Sequence, residues 1–102
     1  MRKPYLLLFT FILGSGLTAQ TVSGSISDEN GNPLPGANVI VAGTSKGAAS
    51  DASGVYSISG VSQGTHTLTA SYIGYKDQST NVNVSSNGAE VNFTLYASAL
   101  SG

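Results

Sequence analysis

One imidazole, two acidic turn clusters and a few tyrosines make up the reactive inventory of this 102-residue chain, which has no cysteine. A structural zinc site takes four thiolate or imidazole ligands, and His66 has no second histidine to join it. The many serines show neither a nucleophile elbow nor a Ser-His-Asp arrangement. His66 therefore reads as a packed or capping side chain at the start of a strand. Asp28-Glu-Asn30-Gly-Asn32 opens like a calcium loop with alternating oxygen ligands, but Pro33 stands where that loop needs Gly and Val39 where it needs Glu. An Asx-turn is the better expectation there, and likewise at Asp51, whose carboxylate is placed to accept backbone N–H bonds near Gly54. Gly31, Gly36, Gly43 and Gly47 form no phosphate cradle, because no glycine-rich loop leads from a strand into a helix. The inventory assigns no catalytic residue, no metal ligand and no cofactor site.

Binding is better served than catalysis. Tyr75 follows Gly74 and, if exposed, would offer an apolar ring with a polar tip to a sugar or a protein surface. The alternative, that Tyr75 covers the end of the domain, is the favoured one. Gly47–Ser50 is a short, weakly apolar segment and a candidate sheet edge, where a partner can add a strand. The candidate binding surface is accordingly Tyr75, Gly47 and Ser50. Asn92-Phe-Thr94 is a formal glycosylation sequon, discounted because it lies within an expected strand.

These residues are carried by short runs of alternating polar and apolar residues separated by turn clusters, the mark of strands with one dry and one wet face. Seven are expected: Thr21–Ser27 with Val22 and Ile26 inward, Ala37–Val41 with Val39 and Val41 inward, Gly47–Ser50, Val55–Ser59 with Tyr56 and Ile58 inward, Thr65–Ile73, Gln78–Val84, and Glu90–Leu95 with Val91, Phe93 and Leu95 inward. Thr65–Ile73 is expected to be the longest, with His66, Leu68, Ala70 and Tyr72 on one face. No window beyond the N-terminal segment has a helical apolar period. Strands at this spacing make an all-β sandwich.

The first nineteen residues read as a secretory signal: basic Arg2 and Lys3, the apolar run Tyr5–Leu13, then small residues up to a cleavage after Ala19. The apolar run is about half of the ~20 residues that a membrane span needs, so no span is expected after cleavage. Export without cysteine suits a bacterial periplasmic or surface protein. The mature side chains carry Lys46 and Lys76 against Asp28, Glu29, Asp51, Asp77 and Glu90, two against five or −3. Two separated lysines give no basic footprint for nucleic acid. Residues 20–96 form the expected domain, and residues 97–102 read as a linker or truncated tail.

Three segments together resemble one family. Gly24-x-Ile26-x-Asp28-x-x-Gly31-x-Pro33-Leu-Pro35-Gly36-Ala37-x-Val39-x-Val41-x-Gly43-Thr44 is similar to the opening of the carboxypeptidase regulatory-like domain. Gly47-x-x-Ser50-Asp51-x-x-Gly54-x-Tyr56-x-Ile58 resembles its threonine-aspartate, glycine, aromatic hairpin, and Ser71-Tyr-Ile-Gly-Tyr-Lys76 its exit from the fifth strand. The likeness covers residues 21–96 and implies a seven-stranded Greek-key sandwich of the transthyretin (prealbumin) type. Ala48 and Ala49 depart from the bulkier β-branched residues common in the third strand, and His66 is a further departure in the fifth.

A signal followed directly by this domain resembles the N-terminal extension of SusC/RagA-type TonB-dependent outer-membrane receptors, typical of Bacteroidetes. The resemblance implies a non-catalytic periplasmic interaction domain whose partner is a protein of the cell envelope in the TonB-receptor system, the chain being a fragment of such a receptor or a free-standing copy of the domain. The alternative is a stand-alone secreted binding or adhesion module for polysaccharide or protein.

Overall fold

The computed structural model describes residues 19–98; of the expected leader only Ala19, and of the expected tail only Ala97 and Ser98, fall within them, the rest of both lying outside the described residues. Among the described residues eight strands follow in order: β1 Gln20–Asp28, β2 Asn38–Val41, β3 Gly47–Ala49, β4 Val55–Val61, β5 Gly64–Ser71, β6 Gln78–Val84, β7 Ala89–Glu90 and β8 Phe93–Leu95. They form two sheets. One has β1 at its centre, antiparallel to β4 on one side and parallel to both β7 and β8 on the other. The other runs β3-β2-β5-β6, antiparallel throughout.

Period-two patterning explains the core. Val22, Ile26, Tyr56, Ile58, Phe93 and Leu95 from the first sheet meet Val39, Val41, Leu68, Ala70 and Val84 from the second, all buried. Burying each aliphatic side chain contributes ~1.5–3 kcal/mol. The all-β sandwich and the inward residues of the first, second and fourth strands are as the alternation requires.

The last strand differs from expectation. Glu90–Leu95 is split into β7 and β8, which turns seven expected strands into eight, and Val91 is only half-buried. The cause is Gly24 on β1. A Cβ at position 24 would fall on the Val91 carbonyl oxygen, so the missing side chain leaves room for that carbonyl to turn inward. The Tyr56 hydroxyl donates to this carbonyl at 2.6 Å. The Val91 N–H donates to the Ser23 carbonyl, and the Asn92 side-chain oxygen accepts the Ser25 N–H at 2.9 Å in place of a backbone carbonyl. A buried carbonyl without a donor would cost ~1–3 kcal/mol; here the gaps in the ladder are filled by side chains.

A second correction concerns strand length. β5 stops at Ser71, because a tight turn in which the Tyr75 N–H donates to the Tyr72 carbonyl begins immediately after it. The nine-residue β1 is longer. Ala97 and Ser98, expected as the start of a linker, stay paired with the body: Tyr75 and Ala97 form a bridge, and the Ser98 N–H donates to the Gly74 carbonyl at 2.8 Å.

Candidate functional site

The groups with chemical potential are committed to local structure. His66, half-buried on β5, has its Nε2 2.8 Å from the Ser62 carbonyl and 3.3 Å from the Ser62 hydroxyl, so the ring caps the loop between β4 and β5. Asp28 spends one carboxylate oxygen on the N–H groups of Asn30 and Asn32, at 2.9 and 2.8 Å. The bond from the Asn32 N–H is the largest influence holding its carboxyl below the ordinary carboxylate range. Asp51 likewise accepts the N–H groups of Ser53 and Val55 with one carboxylate oxygen, at 2.8 and 3.0 Å. Both are Asx-turns, as their spacing suggests.

The three expected surface residues are not brought together. Gly47 lies on β3, which is indeed an edge strand, and a Cβ there would come within 2.8 Å of the Val39 carbonyl oxygen. Its role is to let two backbones approach. Ser50 is a correction: it is 7% exposed, its hydroxyl donates to the Leu34 carbonyl and accepts the Ala37 N–H at 2.9 Å. It bolts the entry of β2 to the exit of β3, and a side chain so enclosed has no reach to a partner. Tyr75 is half-buried, its ring packed against Tyr72 with centroids 5.6 Å apart. Desolvation raises its phenol pKa, with the carboxylates of Asp28 and Glu29 adding to the effect. Tyr75 therefore covers the end of the sandwich.

What the surface does offer lies around Asn38. Two shallow depressions of about 310 and 350 Å³ share this residue. One is bordered by Ile40 and the β3 edge at Gly47–Ala49, the other by Gly36, Ser71, Tyr72 and Ile73. Ile40 is 47% exposed and Ile73 90% exposed, and they are among the few large apolar residues on the surface. Around them the sheet is hydroxyl-rich, with Thr67 bonded to Asn81 and Thr69 to Ser79 across β5 and β6. The sequence held a signal for Ile40, since it stands between the inward Val39 and Val41 and must face out. Ile73 was masked by its assignment to a strand that ends two residues earlier.

Comparison with known proteins places this geometry. The profile of the CarboxypepD_reg-like domain matches residues 22–102. TonB-dependent receptor P39 of Formosa agariphila is 45% identical over 74 residues, 72% of this chain but 7% of the receptor. TonB-dependent receptor P3 of the same organism is 38% identical over 96 residues, 91% of this chain and 9% of the receptor. The chain thus spans less than a tenth of the length of either. Among solved structures, a chain of a type II cohesin–X-dockerin complex from Acetivibrio cellulolyticus superposes with a TM-score of 0.68 at 26% identity, covering 76% of this chain and 58% of that one.

Proposed function

The chain belongs to the carboxypeptidase regulatory-like domain family, and from that premise we propose that it is a non-catalytic interaction domain of a TonB-dependent receptor system, exported by residues 1–19 and working at the periplasmic face of the outer membrane. The observation that carries this reading is 45% identity to a TonB-dependent receptor of which the chain spans 7%. The shared part is a small module. A plugged transport barrel takes ~22 strands, so transport belongs to other parts of such receptors, and this module contributes contact.

The contact surface in this reading is the strip around Asn38, where Ile40 and Ile73 stand out from a hydroxyl-rich face beside the β3 edge. Covering each isoleucine would contribute up to ~1.5–3 kcal/mol to binding. The non-catalytic part of the reading is supported by the commitment of His66, Asp28 and Asp51 to their own loops. Polysaccharide binding is the weaker reading, because Tyr75 is half-buried and its ring packs against Tyr72.

The test is in-cell crosslinking followed by capture from the bacterial envelope, comparing the wild type with the double variant Ile40→Asp, Ile73→Asp. Capture of an outer-membrane or TonB-system protein, lost in the double variant while its circular dichroism is unchanged, is the expected result. Failure to recover any envelope protein with the wild type sinks the proposal.

A further inference from the structure

The four flanking positions of the two sheets are not alike. β3 is three residues long, and β7 and β8 together offer five interrupted ones. β4 is longer, but its register against β1 shifts between Gln20 and Val22. The Lys46 ammonium also lies over Gly60, 2.9 Å from where a Cβ would stand. Short length, a bulge and a lysine are the usual ways of making a sheet edge unattractive to another strand. β6 has none of them. It pairs with β5 in unbroken register from Gly64↔Val84 to Ala70↔Gln78. Its seven residues, Gln78-Ser-Thr-Asn-Val-Asn-Val84, carry no charge and no proline. Among the described residues no strand lies on its other side. Alternate residues of such an edge direct N–H and C=O groups outward.

We propose that β6 is a homodimer edge, pairing antiparallel with β6 of a second copy about a twofold axis centred on Asn81. This register is self-complementary. It sets Gln78 opposite Val84, Ser79 opposite Asn83 and Thr80 opposite Val82, with Asn81 facing its own copy. Ser79 and Asn83 meet as side chains that can bond to each other, Asn81 meets its own copy, and the β-branched Thr80 and Val82 pack together. The flanking charges are spared as well, since Lys76 falls opposite Ser86 and Asp77 opposite Ser85. The described chain carries two lysines against five acidic residues, so two copies repel except where charge is absent, and β6 is such a zone. The added strand would also roof the cleft of about 230 Å³ between the two sheets, whose walls include Gln78, Thr80, Val91 and Phe93. Because a twofold axis makes the contact isologous, assembly closes at two copies and does not propagate.

Sedimentation velocity of the exported protein over a dilution series tests this. The wild type is expected to dissociate reversibly from dimer to monomer. In the dimer the two copies of residue 80 are diagonal neighbours on one face, so Thr80→Lys and Thr80→Glu, tested separately, should each weaken the dimer at least about tenfold through like-charge opposition. An equimolar mixture of the two variants should restore it as a heterodimer, a rescue that loss of folding cannot produce. A wild type that stays monomeric throughout, assembles without limit, or forms a dimer indifferent to both variants overturns the proposal. None of these readouts depends on an envelope partner, so this inference and the proposed function can fail separately.

Discussion

Two turns in this molecule are built to the same plan and bear different loads. In the first, the Gly31 N–H donates to the Asp28 carbonyl, the Asp28 N–H donates to the Asn32 carbonyl, and the Asp28 carboxylate takes the N–H groups of residues 30 and 32. In the second, Gly54, Asp51, Val55 and Ser53 repeat every one of those bonds. Both glycines are left-handed, at φ 84° and 77°. Yet a Cβ on Gly31 would meet nothing within 4 Å, whereas one on Gly54 would lie 2.7 Å from the Ile26 carbonyl oxygen and 2.9 Å from the Pro33 Cβ. The Gly54 carbonyl also accepts the Ile26 N–H at 2.8 Å. The first turn is closed by its own local chemistry, while the second is also a packing surface for the strand that enters the first.

The sharpest way to break the parallel is to add one methyl group to each. Gly54→Ala must adopt a left-handed backbone and also displace main-chain atoms of β1, for an expected loss of about 3 kcal/mol. Gly31→Ala incurs only the conformational term, about 1 kcal/mol. Urea unfolding of the two variants measures the difference. Equal losses would mean that the contacts around Gly54 relax freely and that the two turns are equivalent after all.

The second turn also launches Tyr56, whose ring is 1% exposed and whose hydroxyl satisfies the inward Val91 carbonyl. Tyr56→Phe keeps the ring and leaves that carbonyl without its donor, for a loss of about 2 kcal/mol. A pH signature accompanies it. Burial, with a smaller contribution from Glu90, raises the Tyr56 phenol from 10.0 to about 12. The folded state thus favours the protonated form. That contribution is complete below pH 10 and is lost as pH climbs toward 12. Wild-type stability should therefore fall across this alkaline window, and the fall should be smaller in Tyr56→Phe. Identical alkaline profiles would show that the phenol is not protected by the fold.

Much of this arrangement is legible in the sequence, and what escapes it does so for a physical reason. Turn chemistry is local, so Asp28, Asp51 and the glycines that follow them announced themselves through spacing alone. Inward positions such as Val22, Ile58 and Leu68 follow from parity. Of three features that escape, two depend on contacts distant in sequence and leave no local trace, and the third depends on a local turn. The break at Val91 is decided by the absence of a side chain at Gly24, and the burial of Ser50 by the Leu34 carbonyl it reaches. The exposure of Ile73 follows from a turn that ends β5 early. For the candidate surface, Gly47 lies on an edge strand, but a serine in a polar segment carries no sign of whether it faces solvent or an orphaned carbonyl. The unguarded length of β6 was visible as seven uncharged residues; that it lies at a flank required the sheet order.

The smallest expected effect probes the first turn by acid. Asp28 is an exposed carboxylate held below the ordinary value of 3.8, chiefly by its bond from the Asn32 N–H. Its ionised form is the one the fold favours, so its contribution is present above pH 3.8 and disappears as pH falls through the lower folded value. Asp28→Asn keeps an oxygen that can accept the same N–H groups but cannot titrate. The variant should lose little stability near neutrality, and its thermal midpoint should decline less steeply than that of the wild type between about pH 4 and 2. The same carboxylate bears on the resemblance to a calcium loop. An oxygen already shared by two backbone N–H groups is a poor ligand for a hard cation that wants six to eight oxygens. Added calcium should accordingly leave the thermal midpoints of wild type and Asp28→Asn alike. A calcium-dependent rise in the wild type alone would return Asp28 to the inventory of binding residues.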